Sequence, residues 1–354
     1  MRASWIDRKD EGLWRRIFLS PLSIAAWGYG ATAHLHREMY ERGWRERRRL
    51  PCRVVSVGNL TVGGAGKTPT SAWLASRLAA RGYMTVIASR GYGRKSRELV
   101  SVVSDGTRIH AGPGERGDEP LLLAAHSPGV PVLVGPDRGV VGLRAVSSFG
   151  AQVLVLDDGF QHHRLARDLE ILVFDGARGW GNGHLLPRGP LREGKALASR
   201  ADAIGVVDGP LPSADASELE RLAPAAHSFR ARRKPIELRR IQGDGSVPPE
   251  VLSGMKVGLL AGIANPDSLR RSLGELGAEV VSERIFADHY RYRARDLRGL
   301  KEEAEIWITT EKDAVKILPS WLRGLDLRVL TIRLEVEEPD ALVDWVIGRL
   351  FEAE

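Results

Sequence analysis

Cysteine is almost absent from this chain of 354 residues, which contains only Cys52. A single cysteine excludes a disulfide framework within the chain and a metal site built from several cysteines. This scarcity is typical of proteins in a reducing compartment such as the cytoplasm. The apolar fraction of 43% and the charged fraction of 27% are those of an ordinary globular protein, and the length allows two domains.

Long apolar runs are also absent, and without 20 consecutive apolar residues we predict no ordinary transmembrane helix. Residues 1–50 carry eleven basic and six acidic side chains, which contribute +5 to the net charge of +7. Within them, residues 17–36 are uncharged and partly aromatic. This pattern favours an amphipathic helix at an anionic membrane surface over residues 1–48, although a helix packed on its own domain remains an alternative. No nucleic-acid-binding module accompanies the basic residues, so nucleic acid is a weaker explanation.

A glycine-rich loop lies between a short apolar strand and a helix at residues 53–68, which read RVVSVGNLTVGGAGKT. In a loop of this kind the backbone N–H groups converge on an anion, and the helix N-terminus adds positive potential. Lys67 would reach the outer phosphates, and Thr68 would ligate Mg²⁺. Thr61 stands where the strict pattern has a glycine. We predict that a nucleoside triphosphate is bound by Thr61, Val62, Gly63, Gly64, Ala65, Gly66, Lys67 and Thr68.

Helical and strand patterns alternate along the rest of the chain. The predicted helices are 68–80, 138–148 and 266–276, and the predicted strands are 84–88, 130–134, 153–156, 171–174, 203–207, 256–261, 279–282 and 306–309. The alternation predicts an α/β fold of the P-loop NTPase type, with a mostly parallel sheet covered by helices on both faces. A shift to Pro, Ser, Ala and Glu at 210–225 suggests a border between a core at 49–215 and a smaller α/β domain at 216–354. We expect residues 227–241 to form a pair of linking strands.

Acidic and basic side chains follow several of these strands. Asp157 ends an apolar strand, where the second Mg²⁺-binding carboxylate of a P-loop enzyme is expected, and Asp158 is a candidate for the water shell of the metal. Asp118 precedes a helical run, so on chemistry alone we favour a helix N-cap there. His289 has the ordinary interpretation of a surface or core histidine. Arg90 and Arg192 are candidates for binding phosphate groups.

The ordered set of motifs resembles the tetraacyldisaccharide 4'-kinase family of lipid A biosynthesis. The matching segments between about residues 50 and 315 are 57–69 (VGNLTVGGAGKTP), 89–95 (SRGYGRK), 117–120 (GDEP), 156–162 (LDDGFQH), 185–187 (LLP), 189–193 (GPLRE), 288–290 (DHY) and 309–313 (TTEKD). Thr61 is in keeping with this family. Where many relatives have alanine before the GPLRE segment, this chain has Arg188.

The resemblance implies an ATP- and Mg²⁺-dependent kinase at the cytoplasmic face of the bacterial inner membrane. Its acceptor would be the 4'-hydroxyl of a tetraacylated glucosamine disaccharide 1-phosphate, and its product lipid IVA. The resemblance also implies that Asp118 is the catalytic base, that His289 orients it and raises its basicity, and that Lys67 takes part in catalysis. It places Asp157 with Thr68 on the metal. It assigns Arg90, Asp158, His162, Arg192 and Glu193 to the nucleotide or the nearby loops.

Three other functions fit the sequence less well. A P-loop switch ATPase of the membrane- or nucleoid-positioning type has a signature lysine before its two glycines, where this chain has Val62. A GTPase would have an Asn-Lys-x-Asp motif, which the sequence lacks. A structural module with a degenerate P-loop is disfavoured because Lys67, Thr68 and Asp157 are intact. We expect no nucleic acid and no protein partner.

Overall fold

The computed structural model describes residues 19–91, 98–110, 117–242 and 245–352. The helices in these residues are α1 (Ser20–Glu41), α2 (Lys67–Ala80), α3 (Asp118–His126), α4 (Arg138–Phe149), α5 (Ser213–Leu222), α6 (Pro266–Glu275), α7 (Leu300–Glu303), α8 (Glu311–Ala314) and α9 (Pro339–Ile347). The strands are β1 (Arg53–Gly58), β2 (Thr85–Ser89), β3 (Ser101–Asp105), β4 (Pro131–Val134), β5 (Val153–Asp157), β6 (Leu169–Asp175), β7 (Ala203–Val207), β8 (His227–Arg240), β9 (Ser246–Val247), β10 (Lys256–Ala261), β11 (Glu279–Ile285), β12 (Ile306–Thr310) and β13 (Asp326–Val336). Short 3₁₀ segments connect some of them.

All of these strands belong to one sheet in the order β11-β10-β12-β13-β8-β7-β6-β1-β5-β2-β4-β3, with β9 beside β8. The strands from β7 to β4 are parallel, and β3 at the edge is antiparallel to β4. Successive side chains of a strand point to opposite faces. Val153 and Val155 accordingly pack with α2 and α3, whereas Leu154 and Leu156 pack with α4. Both faces are therefore covered, and the predicted α/β fold is confirmed.

Strand β8 joins the two parts of the sheet. Its first residues, from His227 to Ala231, pair in parallel with β7, and its residues from Ala231 to Arg240 pair antiparallel with β13. The prediction of two linking strands at 227–241 is wrong because one strand of 14 residues spans the segment. The segment at 210–225 contains α5, which leads from β7 into β8. The division of the chain near residue 215 stays a prediction.

The end of the chain returns to the first part of the sheet. Leu342 and Val346 of α9 share a core with α2, and Arg81 pairs with Asp340 and Asp344. Beyond β13, the parallel strands β12, β10 and β11 complete the sheet. Loops that follow parallel strands gather at the carboxyl edge of a sheet. The P-loop after β1 and the acidic loop after β5 begin at the carboxyl edge of the first part. Because β13 is antiparallel to β8, β12 runs opposite to β1 and β5, and α8 begins at the carboxyl edge of the second part.

Helix α1 has one face against the protein and one face exposed. On the inner face, Arg188 Nη1 donates a hydrogen bond of 2.7 Å to Ser23 Oγ, and a Cβ atom on Gly30 would lie 2.6 Å from Leu185 Cδ1. On the outer face, Ile24 and Trp27 are 74% and 77% exposed. The helix is thus packed on one face and exposes large apolar side chains on the other, and the amphipathic membrane-associating segment at residues 1–48 stays a prediction. The first 18 residues of the predicted segment lie outside the described residues, as do Arg94 and Lys95.

A search of the described helices for one that is both long and apolar enough to cross a membrane finds none.

Candidate active site

The P-loop connects β1 to the N-terminus of α2. Gly63 and Gly66 have φ values of +110° and +93°, a left-handed conformation that side chains other than that of glycine rarely adopt. Gly66 stands immediately before the first residue of α2, so the N–H groups of the 14-residue helix open onto the loop. Lys67 Nζ donates a hydrogen bond of 2.9 Å to Asn59 Oδ1 and lies 3.4 Å from Asp158 Oδ1. The local geometry is that of an anion-binding loop with a lysine held at its mouth.

Asp157 lies beside this loop at the carboxyl end of β5. Its side chain is buried, Ser71 Oγ donates a hydrogen bond of 3.0 Å to Oδ1, and Thr68 Oγ1 lies 3.4 Å from Oδ2. Burial, followed by the charges of Glu119 and Asp158, raises the pKa of Asp157 to about 7. A divalent cation would offset this concentration of negative charge. Carboxylate and hydroxyl oxygens are the donors that Mg²⁺ prefers, so Thr68 and Asp157 fit the predicted metal.

No cluster of three or more His, Cys, Asp or Glu side chains suited to a metal occurs in the described part of the chain.

Asp158 and Arg192 form an ion pair next to Lys67. Arg192 Nη1 donates to both carboxylate oxygens of Asp158 at 2.9 and 2.8 Å. Burial raises the pKa of Asp158, but Lys67 and Arg192 outweigh it and leave the pKa below its ordinary value. Asp158 therefore stays ionised between two cations. Its φ of +53° turns its side chain away from that of Asp157, which explains the different surroundings of these adjacent carboxylates.

Glu193 does not belong to the Asp158–Arg192 ion pair but contacts His163 and Gln161 of the loop after β5. His163 Nε2 is 3.1 Å from Glu193 Oε1, and Gln161 Nε2 donates to Glu193 Oε2 at 3.3 Å and to Asn59 O at 3.0 Å. The ring of His163 also lies 5.9 Å from that of His36 on α1. Glu193 thus ties the loop after β5 to β1 and to the N-terminal helix.

Asp118 and His289 come together from the two parts of the sheet. His289 Nδ1 is 3.1 Å from Asp118 Oδ2 and 3.3 Å from Oδ1. Asp118 begins α3, but Gly117 is the N-cap residue, and the backbone bond to the Asp118 side chain comes from the adjacent Glu119 N–H at 3.1 Å. An N-cap side chain accepts from positions two or three residues further on. The geometry therefore favours the carboxylate–histidine pair over the helix cap.

The charges around this pair act in opposite directions. Burial raises the pKa of Asp118, but the hydrogen bond with His289 and the charge of Lys312 outweigh it, so the pKa ends below its ordinary value. The hydrogen bond with Asp118 raises the pKa of His289, which burial and Lys312 oppose. His289 therefore does not raise the basicity of Asp118 in this structure. Of the two groups, His289 is the one that takes up a proton first as the pH falls.

A cavity of about 630 Å³ lies between the P-loop and the second part of the sheet. The predicted residues that line it are Val62, Gly63, Gly64, Ala65, Gly66, Lys67, Thr68, Arg90, Asp157, Asp158, Arg192 and His289. Four predicted residues are not part of the lining. Asp118 lies behind His289, Thr61 is buried at a bridge to Leu191, and Glu193 has the contacts given above. His162 faces Arg138, and burial lowers its pKa to about 4.

The family of this chain follows from its sequence. The model of a family described as "LpxK: Tetraacyldisaccharide-1-P 4'-kinase" matches residues 16–350. The chain belongs to this family. The resemblance inferred from the separate motifs is therefore confirmed over nearly the whole length.

Curated tetraacyldisaccharide 4'-kinases are similar along almost the full chain. One from Anaeromyxobacter sp. (strain Fw109-5) is 43% identical over 347 residues, which cover 95% of this chain and 91% of the relative. One from Syntrophus aciditrophicus is 40% identical over 355 residues, covering 95% and 94%. A crystal structure of LpxK from Aquifex aeolicus, described as an "apo" form in complex with ATP, is 30% identical with a TM-score of 0.74. It matches 95% of this chain and 99% of its own.

Several residues of this site were not identified from the sequence of the chain. Asn59 holds Lys67, and Ser71 holds Asp157. Arg233 of β8 lines the cavity and pairs with Asp208 and Asp175. Asn59 and Lys312 lie inside two of the matching segments given above, 57–69 and 309–313. Their place in those segments could have marked them as candidate site residues. Arg233 lies in a run of basic residues on β8, and nothing in the sequence separates it from its neighbours.

Proposed function

We propose that this protein transfers the γ-phosphate of ATP to the 4'-hydroxyl of tetraacyldisaccharide 1-phosphate, forming lipid IVA in lipid A biosynthesis. Membership of the tetraacyldisaccharide 4'-kinase family supports the activity and the lipid disaccharide acceptor. The observation that carries the proposal is the position of His289. It lines the same cavity as Lys67 and Thr68, with the Asp118 carboxylate directly behind it. The phosphate-binding loop and the histidine of the proposed Asp118–His289 pair thus share one cavity.

In the proposed mechanism the P-loop, whose residues 62–66 line the cavity, and the Lys67 ammonium bind the outer phosphates of ATP. Thr68 and Asp157 would hold Mg²⁺, which when bound neutralises charge on the transferred group. Asp118 accepts the proton of the sugar hydroxyl, and His289 keeps the carboxylate turned toward it. Arg90 and Arg192 add positive charge around the cavity. Asp158 keeps Lys67 and Arg192 in place, and His162 and Glu193 support the loop after β5.

We also propose that the protein works at the cytoplasmic face of the bacterial inner membrane, attached peripherally or monotopically through α1. The exposed side chains Ile24, Trp27 and Leu35 lie on one face of the helix, three to eleven residues apart. Basic residues precede and follow this face, which suits anionic headgroups. Four acyl chains keep the acceptor in the bilayer, because each buried CH₂ group contributes about 0.8 kcal/mol. The enzyme must therefore reach the acceptor at the surface.

The two parts of the sheet would act as a core at 49–215 and a smaller domain at 216–354 that closes over the nucleotide. The closed arrangement brings His289 to Asp118 and excludes water, which limits loss of ATP to hydrolysis. Contacts such as that of His126 Nε2 with Glu311 Oε1, at 2.9 Å, would be made on closure.

The proposed function is tested by incubating the full chain with γ-labelled ATP, Mg²⁺ and tetraacyldisaccharide 1-phosphate in detergent micelles. We expect label in the lipid, at the 4' position, and a requirement for both Mg²⁺ and the acceptor. If ATP is hydrolysed while the lipid stays unlabelled, the acceptor is wrong and a P-loop switch is favoured instead.

A further inference from the structure

Lys312 connects three groups around the proposed catalytic pair. It lies in the first turn of α8, and its Nζ is 3.0 Å from Asp288 Oδ1 and 3.3 Å from Glu119 Oε1. The same atom is 3.4 Å from His289 Nε2. The side chain is 16% exposed and lines the cavity. One ammonium group thus contacts α3 of the first part of the sheet and the loop that carries His289 in the second.

The closest contacts of the two ring nitrogens favour one position for the proton of neutral His289, and the Glu119 and Asp288 carboxylates lie further from Nε2, at 3.9 and 3.7 Å. An ammonium group has three donors and no acceptor, so Lys312 can bond to Nε2 only when that nitrogen carries no proton. The other ring nitrogen, Nδ1, faces the Asp118 carboxylate, which only accepts. The contacts on both sides of the ring therefore select the same neutral tautomer, with the proton on Nδ1.

The backbone of His289 also needs support. Its φ is +59°, a left-handed conformation that is uncommon for histidine and persists when surrounding contacts hold it. The neighbouring Asp288 is the closest partner of Lys312, so the lysine fixes the loop at the residue before His289. Glu119 fixes the lysine to α3 in turn, next to Asp118.

We propose that Lys312 is a positioning residue for the Asp118–His289 pair, which ties the His289 loop to α3 and keeps the proton of neutral His289 on Nδ1. This role rests on the proposed phosphoryl transfer, for which Asp118 must be unprotonated and correctly turned. Lys312 itself need not touch the reacting atoms. It acts through Asp288 and His289, as supporting partners of a catalytic histidine do.

The charged groups that face the pair decide the sign of the expected effect. They are Asp118 and Glu119 from α3, Asp288 from the His289 loop, Lys312 from α8 and Lys316 from the turn that follows α8. Lys312 is the cation nearest to His289, and it opposes protonation of the ring. Removing its charge should therefore raise the pKa of His289.

The test compares Lys312→Met with the unchanged full chain by two measurements. The first follows the His289 ring by NMR of ¹⁵N-histidine-labelled protein without substrates, with the signal assigned from its loss in His289→Gln. We expect the pKa of His289 to rise by about one pH unit in Lys312→Met. The second is the pH profile of kcat/KM for label transfer. The midpoint of its acid limb should move to higher pH by the same amount as the pKa of His289. In Lys312→Arg, the pKa of His289 and the acid limb of kcat/KM should both return toward their values in the unchanged chain. Lys256 is an exposed lysine of β10, and Lys256→Met should change neither quantity.

Each outcome decides the proposal. An unchanged His289 titration in folded Lys312→Met, shown by an unchanged Tm, overturns it. A raised KM for ATP with an unchanged titration also overturns it, because Lys312 would then act on the nucleotide. If Lys312→Met does not fold, Lys312→Gln removes the charge but keeps a donor, and the same shift is expected. If the unchanged protein labels no lipid, the proposed function fails while the NMR measurement still decides the role of Lys312.

Discussion

Asp118 and His289 are 171 residues apart in the chain, yet Oδ2 and Nδ1 are 3.1 Å apart in the fold. Because the pKa of Asp118 is lowered and that of His289 is raised, the first proton added to the pair goes to the imidazole. The singly protonated pair is a poor base, since its carboxylate is held by an imidazolium ion.

This order of protonation predicts the pH dependence of transfer. We expect kcat/KM to fall on the acid side with a midpoint above about 6.5, the ordinary pKa of histidine. In His289→Gln the acid limb should move toward the lower pKa of a carboxyl group, and kcat should fall by about 10- to 100-fold because Asp118 is no longer oriented. A pH series with both proteins checks this. An acid limb at the same pH in the variant would mean that His289 does not set it.

The Asp157 carboxylate is expected to lower the stability of the fold while the proposed transfer requires it. Its pKa of about 7 lies far above that of an unfolded aspartate, so the native state is destabilised progressively as pH rises from about 4 to 7, and fully above 7. Without divalent cations at pH 8, Asp157→Asn should raise the free energy of unfolding by about 2 to 4 kcal/mol, and by little at pH 4. The asparagine keeps a side-chain oxygen that can accept the hydrogen bond from Ser71, yet phosphate transfer should be lost.

Urea unfolding at both pH values and label transfer at pH 8 provide the measurement. Equal stability of the two proteins at pH 8 would contradict the electrostatic interpretation of Asp157.

At the scale of single residues, most of the site residues predicted from the sequence line the cavity, but the residues that support them were not predicted. Lys67, Thr68 and Asp157 follow from an ordered motif whose backbone geometry is nearly fixed. His162 and Asp158 stand four residues apart in one motif, yet only Asp158 reaches the cavity. The difference depends on the turn after β5, in which Asp158 has a positive φ. Spacing alone does not show which way the side chains of such a turn point.

Helix α1 is the element whose two faces have the most different surroundings. Its inner face is held by the hydrogen bond from Arg188 and by the close approach of Gly30 to Leu185. Its outer face presents Ile24 and Trp27 without cover among the described residues.

We expect the double variant Ile24→Ser and Trp27→Ser to bind anionic phospholipid vesicles about 100-fold more weakly, because each large apolar side chain contributes about 1.5 to 3 kcal/mol when buried. Co-sedimentation with vesicles measures this. Leu143→Ser, an exposed leucine of α4, serves as the matched control. Equal binding of the double variant and the control would exclude α1 as the membrane contact.

At the scale of elements, periodicity predicted the existence of the strands better than their partners. Strands with one buried run, such as β5 and β7, were predicted within one residue of their bounds. For β8 the alternation was visible, but the change of partner from β7 to β13 within one strand was not. Pairing partners depend on contacts between distant segments, which a local pattern does not contain.

For the whole molecule, one sheet spans both parts, so the proposed closure would depend on contacts outside the sheet. Glu311 is central to these contacts. Its carboxylate accepts from the Ile332 N–H at 3.1 Å, contacts His126 of α3 at 2.9 Å, and lies 3.5 Å from Arg333. It thus joins α3 to β13 across the cavity.

Glu311→Ala should loosen the closed arrangement. We expect ATP hydrolysis without acceptor to increase several-fold relative to lipid labelling, since water is less well excluded. Phosphate release and label transfer are measured in parallel. Glu335→Ala serves as the control because Glu335 lies on β13, the strand that Glu311 contacts, but in an exposed pair with Arg232. An unchanged ratio would show that Glu311 does not contribute to closure.

The central claim is that Asp118 is the base for phosphoryl transfer next to an intact nucleotide site. The most direct measurement is the rate of lipid labelling by Asp118→Asn at saturating ATP, together with its affinity for ATP. We predict a loss of about 100-fold or more in kcat with little change in ATP binding. Near-normal turnover would contradict the account and return Asp118 to a structural role at the start of α3.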